Sequence, residues 1–207
     1  MPLAKKEDDA RMSDQGSTLE RFIFLSDGIF AVVITIMVLD LRAPDRHDVH
    51  ALLELWPEAT SYTVSYLFIA VVWLNHHHVF AYATKMTNVL IVSNFANLFA
   101  ISLIPVTTSW LASSRVAPFP LTVYATVFLL VELTYIVLMR ETLGQRAGTR
   151  EVRRTQRAYF IRAWIMAAIF GFAAFATFIP VGGRLAFTAT FLVLHLRPSL
   201  TRAPSEP

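Results

Sequence analysis

Asp27 is the only ionisable residue between Phe22 and Leu39, a stretch otherwise made of apolar and small side chains. A carboxylate in such a place can hold a cation, relay a proton or brace a helix, and it is costly without a partner. Three histidines, His76, His77 and His78, stand in a row further on, between Asn75 and a second apolar run. Glu132 lies inside another apolar stretch, where an intramembrane acid is a functional candidate by default. The histidines do not read as a metal site. Consecutive helical positions are about 100° apart, so three in a row cannot face one ion. Helical zinc sites use pairs four residues apart, and no such pair exists in this run. With no cysteine in the chain, disulfides, thiolate ligands and cysteine nucleophiles are excluded as well.

The elements that must position these groups are apolar helices. Of 207 residues, 55% are hydrophobic and 16% are charged. Soluble domains are nearer 45–50% apolar and about 25% charged, so the chain reads as an all-α, polytopic membrane protein. The eighteen residues from Phe22 to Leu39 cover about 27 Å as a helix, close to the thickness of a bilayer's hydrocarbon core. Further spans are expected at Ala59–Tyr82, Val89–Leu111 with a kink at Pro105, Leu121–Met139, Ala158–Ile179 and Leu185–Leu196, six in all. Val49–Trp56 is amphipathic and too short to cross, so it reads as an interfacial helix closed by Pro57. Residues 1–18 read as a flexible tail, with Ser17 or Thr18 capping the first helix. The membrane-spanning block is 19–197, and 198–207 is a second polar tail.

Charge sets the orientation. Arg140, Arg146, Arg150, Arg153, Arg154 and Arg157 crowd the loop between spans four and five, which places that loop in the cytoplasm of a cell-membrane protein. Counting spans, Lys85 and both termini are then also inside. Arg21, Ser26, Asp27, Trp73, His76, Asn94 and Asn97 therefore fall together at the inner ends of the first three spans. Of these, Arg21, Ser26, Asp27, His76 and an asparagine (Asn94 or Asn97), histidine and asparagine both able to donate and accept, are expected to form a buried network clamping the three helices. For Glu132, a function and a hydrogen bond to a neighbouring hydroxyl remain equally open. Along the first span, Val32, Ile36 and Leu39 share a face with Thr35 beside them. Phe30, Val33 and Met37 lie on the other face, and periodicity does not say which side meets lipid, protein or water.

The segment RFIFLSDG, with Ala31, Thr35 and the pair Leu39-Asp40, resembles the RxxxFSD opening of transmembrane-protein-175 type potassium channels. Trp73 and His76 as W-x-x-H, the asparagines of the third span and Pro105 are similar to the same pattern. Leu25 stands where that family usually has Phe. The resemblance implies a single-repeat prokaryotic member, a homotetramer in the bilayer with the first helices around a central pore. It implies Val32, Ile36 and Leu39 as apolar constriction rings and Thr35 as a hydroxyl layer contributing to selectivity. Arg21, Ser26, Asp27, Trp73 and His76 would be the structural network. The expected activity is potassium permeation with weak to moderate preference over sodium, with no cofactor, no enzymatic chemistry and no nucleic-acid partner. Proton permeation or secondary transport is the alternative. The transporter form is disfavoured by the lack of an internal repeat, and an embedded enzyme by the scarcity of ligand-type residues.

Overall fold

The computed structural model describes residues 2–146 and 150–176, and among these every regular element is helical. The order is α1 (Pro2–Leu39), α2 (Val49–Glu54), α3 (Trp56–Phe80), α4 (Asn88–Ser102), α5 (Ile104–Ser113), α6 (Pro118–Gly144) and α7 (Arg150–Ala176). Among the described residues three stretches are long and apolar enough to cross a membrane: Thr18–Leu39, Asn88–Ser113 and Pro118–Gly144. The expected second span is α3, of comparable length but bearing Glu58 and the polar run Asn75–His78. The expected fifth span coincides with α7, whose apolar part is the shorter Tyr159–Phe172. The sixth segment, Leu185–Leu196, the turn 180–183 and the tail 198–207 lie outside the described residues.

Local chemistry explains most boundaries. Asp48 caps α2, its carboxylate accepting from Ala51 N at 2.7 Å, and Thr87 caps α4 by accepting from Leu90 N at 3.0 Å. Pro57, Pro105 and Pro118 sit in the first turns of α3, α5 and α6, where no intrahelical N–H is needed. The kink expected at Pro105 is a break at Leu103, so one crossing is built from α4 and α5. Arg115 (φ 52°) and Val116 (φ 61°) close α5 in the left-handed region. Their N–H groups bond to Ala112 O at 2.9 Å and Leu111 O at 3.0 Å, offsetting the strain. One boundary differs from the sequence reading. The backbone is helical from Pro2, so Ser17 and Thr18 lie within α1 rather than capping it.

The α2 helix keeps Val49, Leu52 and Leu53 exposed beside Trp56, as an interfacial helix requires. The main core joins Phe30, Val33 and Met37 of α1 to Phe68, Ile69 and Val72 of α3, Ile101, Ile104, Phe128 and Phe170. At its centre Phe68 and Phe128 stack at 3.9 Å, and Phe170 meets both edge-on at 5.5 and 5.2 Å. Lipid is as apolar as these rings, so close packing rather than escape from water holds the helices together.

Candidate functional site

α1 has two faces of equal greasiness and different fates. Phe30, Val33 and Met37 are buried at 2%, 5% and 3% exposure, whereas Val32, Ile36 and Leu39 are exposed at 54%, 47% and 78%. Thr35 is exposed with them. Its hydroxyl donates back into the helix, to Val32 O at 2.9 Å and Ala31 O at 3.0 Å. The hydrogen is thus committed to the backbone, and the oxygen turns its remaining lone pair away from it. That suits a cation and not an anion. An apolar groove of about 840 Å³ flanks this stripe, lined by Leu25, Gly28, Val32 and Ile36 of α1 and by Pro105 and Val106 of α5.

The Ser26–Asp27 end of the stripe is fastened by side chains. Asn94 on α4 donates from Nδ2 to Ser26 Oγ on α1 at 2.9 Å, while its Oδ1 is 2.8 Å from His76 Nε2 on α3. All three residues are fully buried. Ser26 passes its own proton to Phe22 O at 3.1 Å. For that pairing His76 must carry its proton on Nε2, since Asn94 offers a carbonyl oxygen there. The imidazole packs between Phe30 (5.3 Å) and Phe80 (4.5 Å), and its Nδ1 is buried without a hydrogen bond. Beside this knot, Trp73 donates its indole N–H to Asp27 Oδ1 at 2.8 Å. The carboxylate of α1 therefore has its partner on α3.

Two residues expected in the clamp lie elsewhere. Arg21 is exposed and forms no ion pair with Asp27, as their six-residue separation on one helix makes difficult. Asn97 is buried but turns to α6, donating to Val131 O and Thr134 Oγ1, both at 3.0 Å. Two further polar features carry no motif in the sequence. Ser65 Oγ lies 2.7 Å from Thr108 Oγ1 and 2.9 Å from Tyr124 OH, tying α3, α5 and α6 in the interior. Gln145 and Glu141 at the end of α6 reach the α3–α4 connector. The serine of that interior knot is detectable only as Ser61 and Ser65 recurring four apart on one helical face. Glu132 is buried at 6% exposure on α6, which packs most extensively against α7 and α4, and it takes no part in the α1 knot. Among the described residues no group of three His, Cys, Asp or Glu could hold a metal ion.

The two anchoring contacts differ in worth. Trp73 is 37% exposed and Asp27 is half-buried, so losing this bond strands neither group deep in the interior. Asp27→Ala should lower stability by about 1 kcal/mol. Thermal melting of the purified protein reads this, and a loss as large as that of the buried asparagine would contradict the ranking.

Comparison with known proteins follows the same residues. The profile of the family described as endosomal/lysosomal potassium channel TMEM175 matches residues 21–105, the stretch that holds α1 from Arg21 onward, α3, the Ser26–Asn94–His76 knot and Pro105. A potassium channel of Chryseobacterium sp. (strain P1-3) is 32% identical over 121 residues, covering 58% of this chain and 63% of the relative. The endosomal/lysosomal proton channel TMEM175 of Gallus gallus is 33% identical over 98 residues, 42% of this chain and 20% of that protein. The chain thus spans less than two thirds of the length of these curated relatives. In three dimensions, the lysosomal potassium-selective channel TMEM175 homolog from Chamaesiphon minutus superposes with a TM-score of 0.71 at 25% identity, over 87% of this chain and 100% of that one. The profile match falls on the residues that build the anchored stripe, and in sequence and in fold this chain is similar to TMEM175-type channels.

Proposed function

We propose that this protein is a potassium-permeable cation channel of the cell membrane. In this reading it is a homotetramer of six-span subunits with both termini in the cytoplasm, and α1 lines its pore. The observation that carries the reading is the stripe of Val32, Thr35, Ile36 and Leu39, held outward by a helix whose opposite face is buried and whose inner end is fastened. The potassium channels among its relatives support the same activity. Helical carbonyls are committed internally, so the pore offers no cage of backbone oxygens. Ions cross largely hydrated between aliphatic rings, with only the Thr35 oxygens to replace some water, so discrimination between potassium and sodium is weak to moderate. Val32, a small residue for a constriction, makes the inner ring leakier than Ile or Leu would.

Removing the hydroxyl isolates its role. Thr35→Val keeps the shape of the side chain and should move the reversal potential under mixed potassium and sodium toward no preference. An unaltered reversal potential would take Thr35 out of the selectivity layer. The names of the animal relatives favour a second reading, proton permeation. Liposomes given first a potassium gradient alone and then a pH gradient alone separate the two. Vesicles that stay tight to potassium under every voltage end the first reading.

A further inference from the structure

The end of α6 carries polar contacts that the pore reading leaves unused. Gln145 reaches from its C-terminus to the connector between α3 and α4. There its Oε1 accepts from Thr84 N at 2.8 Å, Lys85 N at 3.0 Å and Thr84 Oγ1 at 3.2 Å. Two consecutive backbone N–H groups converging on one oxygen form a nest, filled here by the chain's own amide. One turn earlier, Glu141 Oε1 accepts from Thr87 Oγ1 at 2.6 Å. Thr87 is also the cap of α4, so one hydroxyl donates to α6 while accepting from Leu90 N. The amide nitrogen of Gln145 is buried without a hydrogen bond, so only its oxygen serves.

The connector leads straight to the anchor of α1. Ala83 is buried in one cluster with Phe80, Leu90, Leu138 and Phe22. Phe22 is the residue whose carbonyl takes the Ser26 hydroxyl, and Ser26 meets Asn94 and His76. A continuous packed path therefore runs from the last turn of α6 to the foot of the exposed stripe.

We propose that Gln145 and Glu141 are positioning residues for the pore helix: they fix the α3–α4 connector so that His76 and Asn94 meet Ser26. The flux arm of the test rests on the channel reading, whereas the exchange arm does not. The experiment is hydrogen–deuterium exchange on the full chain in lipid nanodiscs, paired with potassium flux in liposomes. Gln145→Leu should speed exchange about tenfold in peptides covering 81–92. The increase should extend to peptides holding Phe22–Ser26 and Trp73–His76, and flux should change with no change in potassium-over-sodium preference. Gln145→Glu keeps an acceptor oxygen for the nest and should match the wild type in both arms. If the leucine variant cannot be recovered folded, Gln145→Ser, too short to reach the nest, gives the same reading. Faster exchange confined to 81–92 would overturn the proposal, as would Gln145→Glu behaving like Gln145→Leu. A wild-type protein inactive in flux overturns the channel reading alone and leaves exchange to decide this one.

Discussion

Val32→Asn should raise resting potassium flux by about tenfold or more. A narrow aliphatic ring stays closed because water gains too few hydrogen bonds inside it. A carboxamide at that level supplies partners, and lowering the barrier by about 1.4 kcal/mol, within the range of one polar contact, is already tenfold. The neighbouring position gives the control. Val33 is 5% exposed and packs in the core with Phe68 and Val72. Asparagine there buries an amide among apolar side chains, so Val33→Asn should lose folded protein rather than gain current. Flux into vesicles together with the yield of monodisperse protein reads both variants. A well-folded Val32→Asn protein with unchanged or abolished flux would remove Val32 from the constriction.

The second large effect is on stability. Asn94→Leu removes the acceptor of His76 Nε2 and the donor to Ser26 Oγ. Hydrogen bonds between membrane helices average only about 0.6 kcal/mol, because the separated helices find other partners. The larger cost is what stays behind. The His76 ring is fully buried and its Nδ1 already lacks a hydrogen bond, so the variant would leave both nitrogens unmatched. Each stranded polar group costs about 1–3 kcal/mol. For a chain of this size the melting temperature should fall on the order of 5–10 °C. A melting temperature within a degree of the wild type would show that the knot does not hold α1 to α3 and α4.

How much of this was legible from the residues follows from what each helix can satisfy alone. An isolated carboxylate in an apolar span demands a partner, and the topology put Trp73, His76 and Asn94 at the same depth, which is where the structure has them. Arg21 shared that depth but not the helix face, and depth alone does not distinguish the two. Asn97 looked equivalent to Asn94, yet three residues along the helix turn it toward α6. Serine and threonine are harder still. Their hydroxyls return to the carbonyl three or four residues back, as Thr35 and Thr142 do, so a helical Ser65 or Thr108 gives no sign of a partner on another helix. Gln145 stands in a polar stretch with no pattern around it. The two faces of α1 were undecidable because both are aliphatic; only the packing of Phe30, Val33 and Met37 separates them.

Side-chain hydrogen bonds tie α1 to α4 at Ser26 and to α3 at Asp27, and among the described residues packing holds the helix outward from there. A rod pinned at one end is a lever. From Ser26 to Leu39 it is about 20 Å long, so a tilt of about 5° would sweep Leu39 sideways by about 2 Å, while Val32, less than halfway out, would travel under half as far. In the proposed pore, small rocking motions would thus widen the far mouth about twice as much as the near ring.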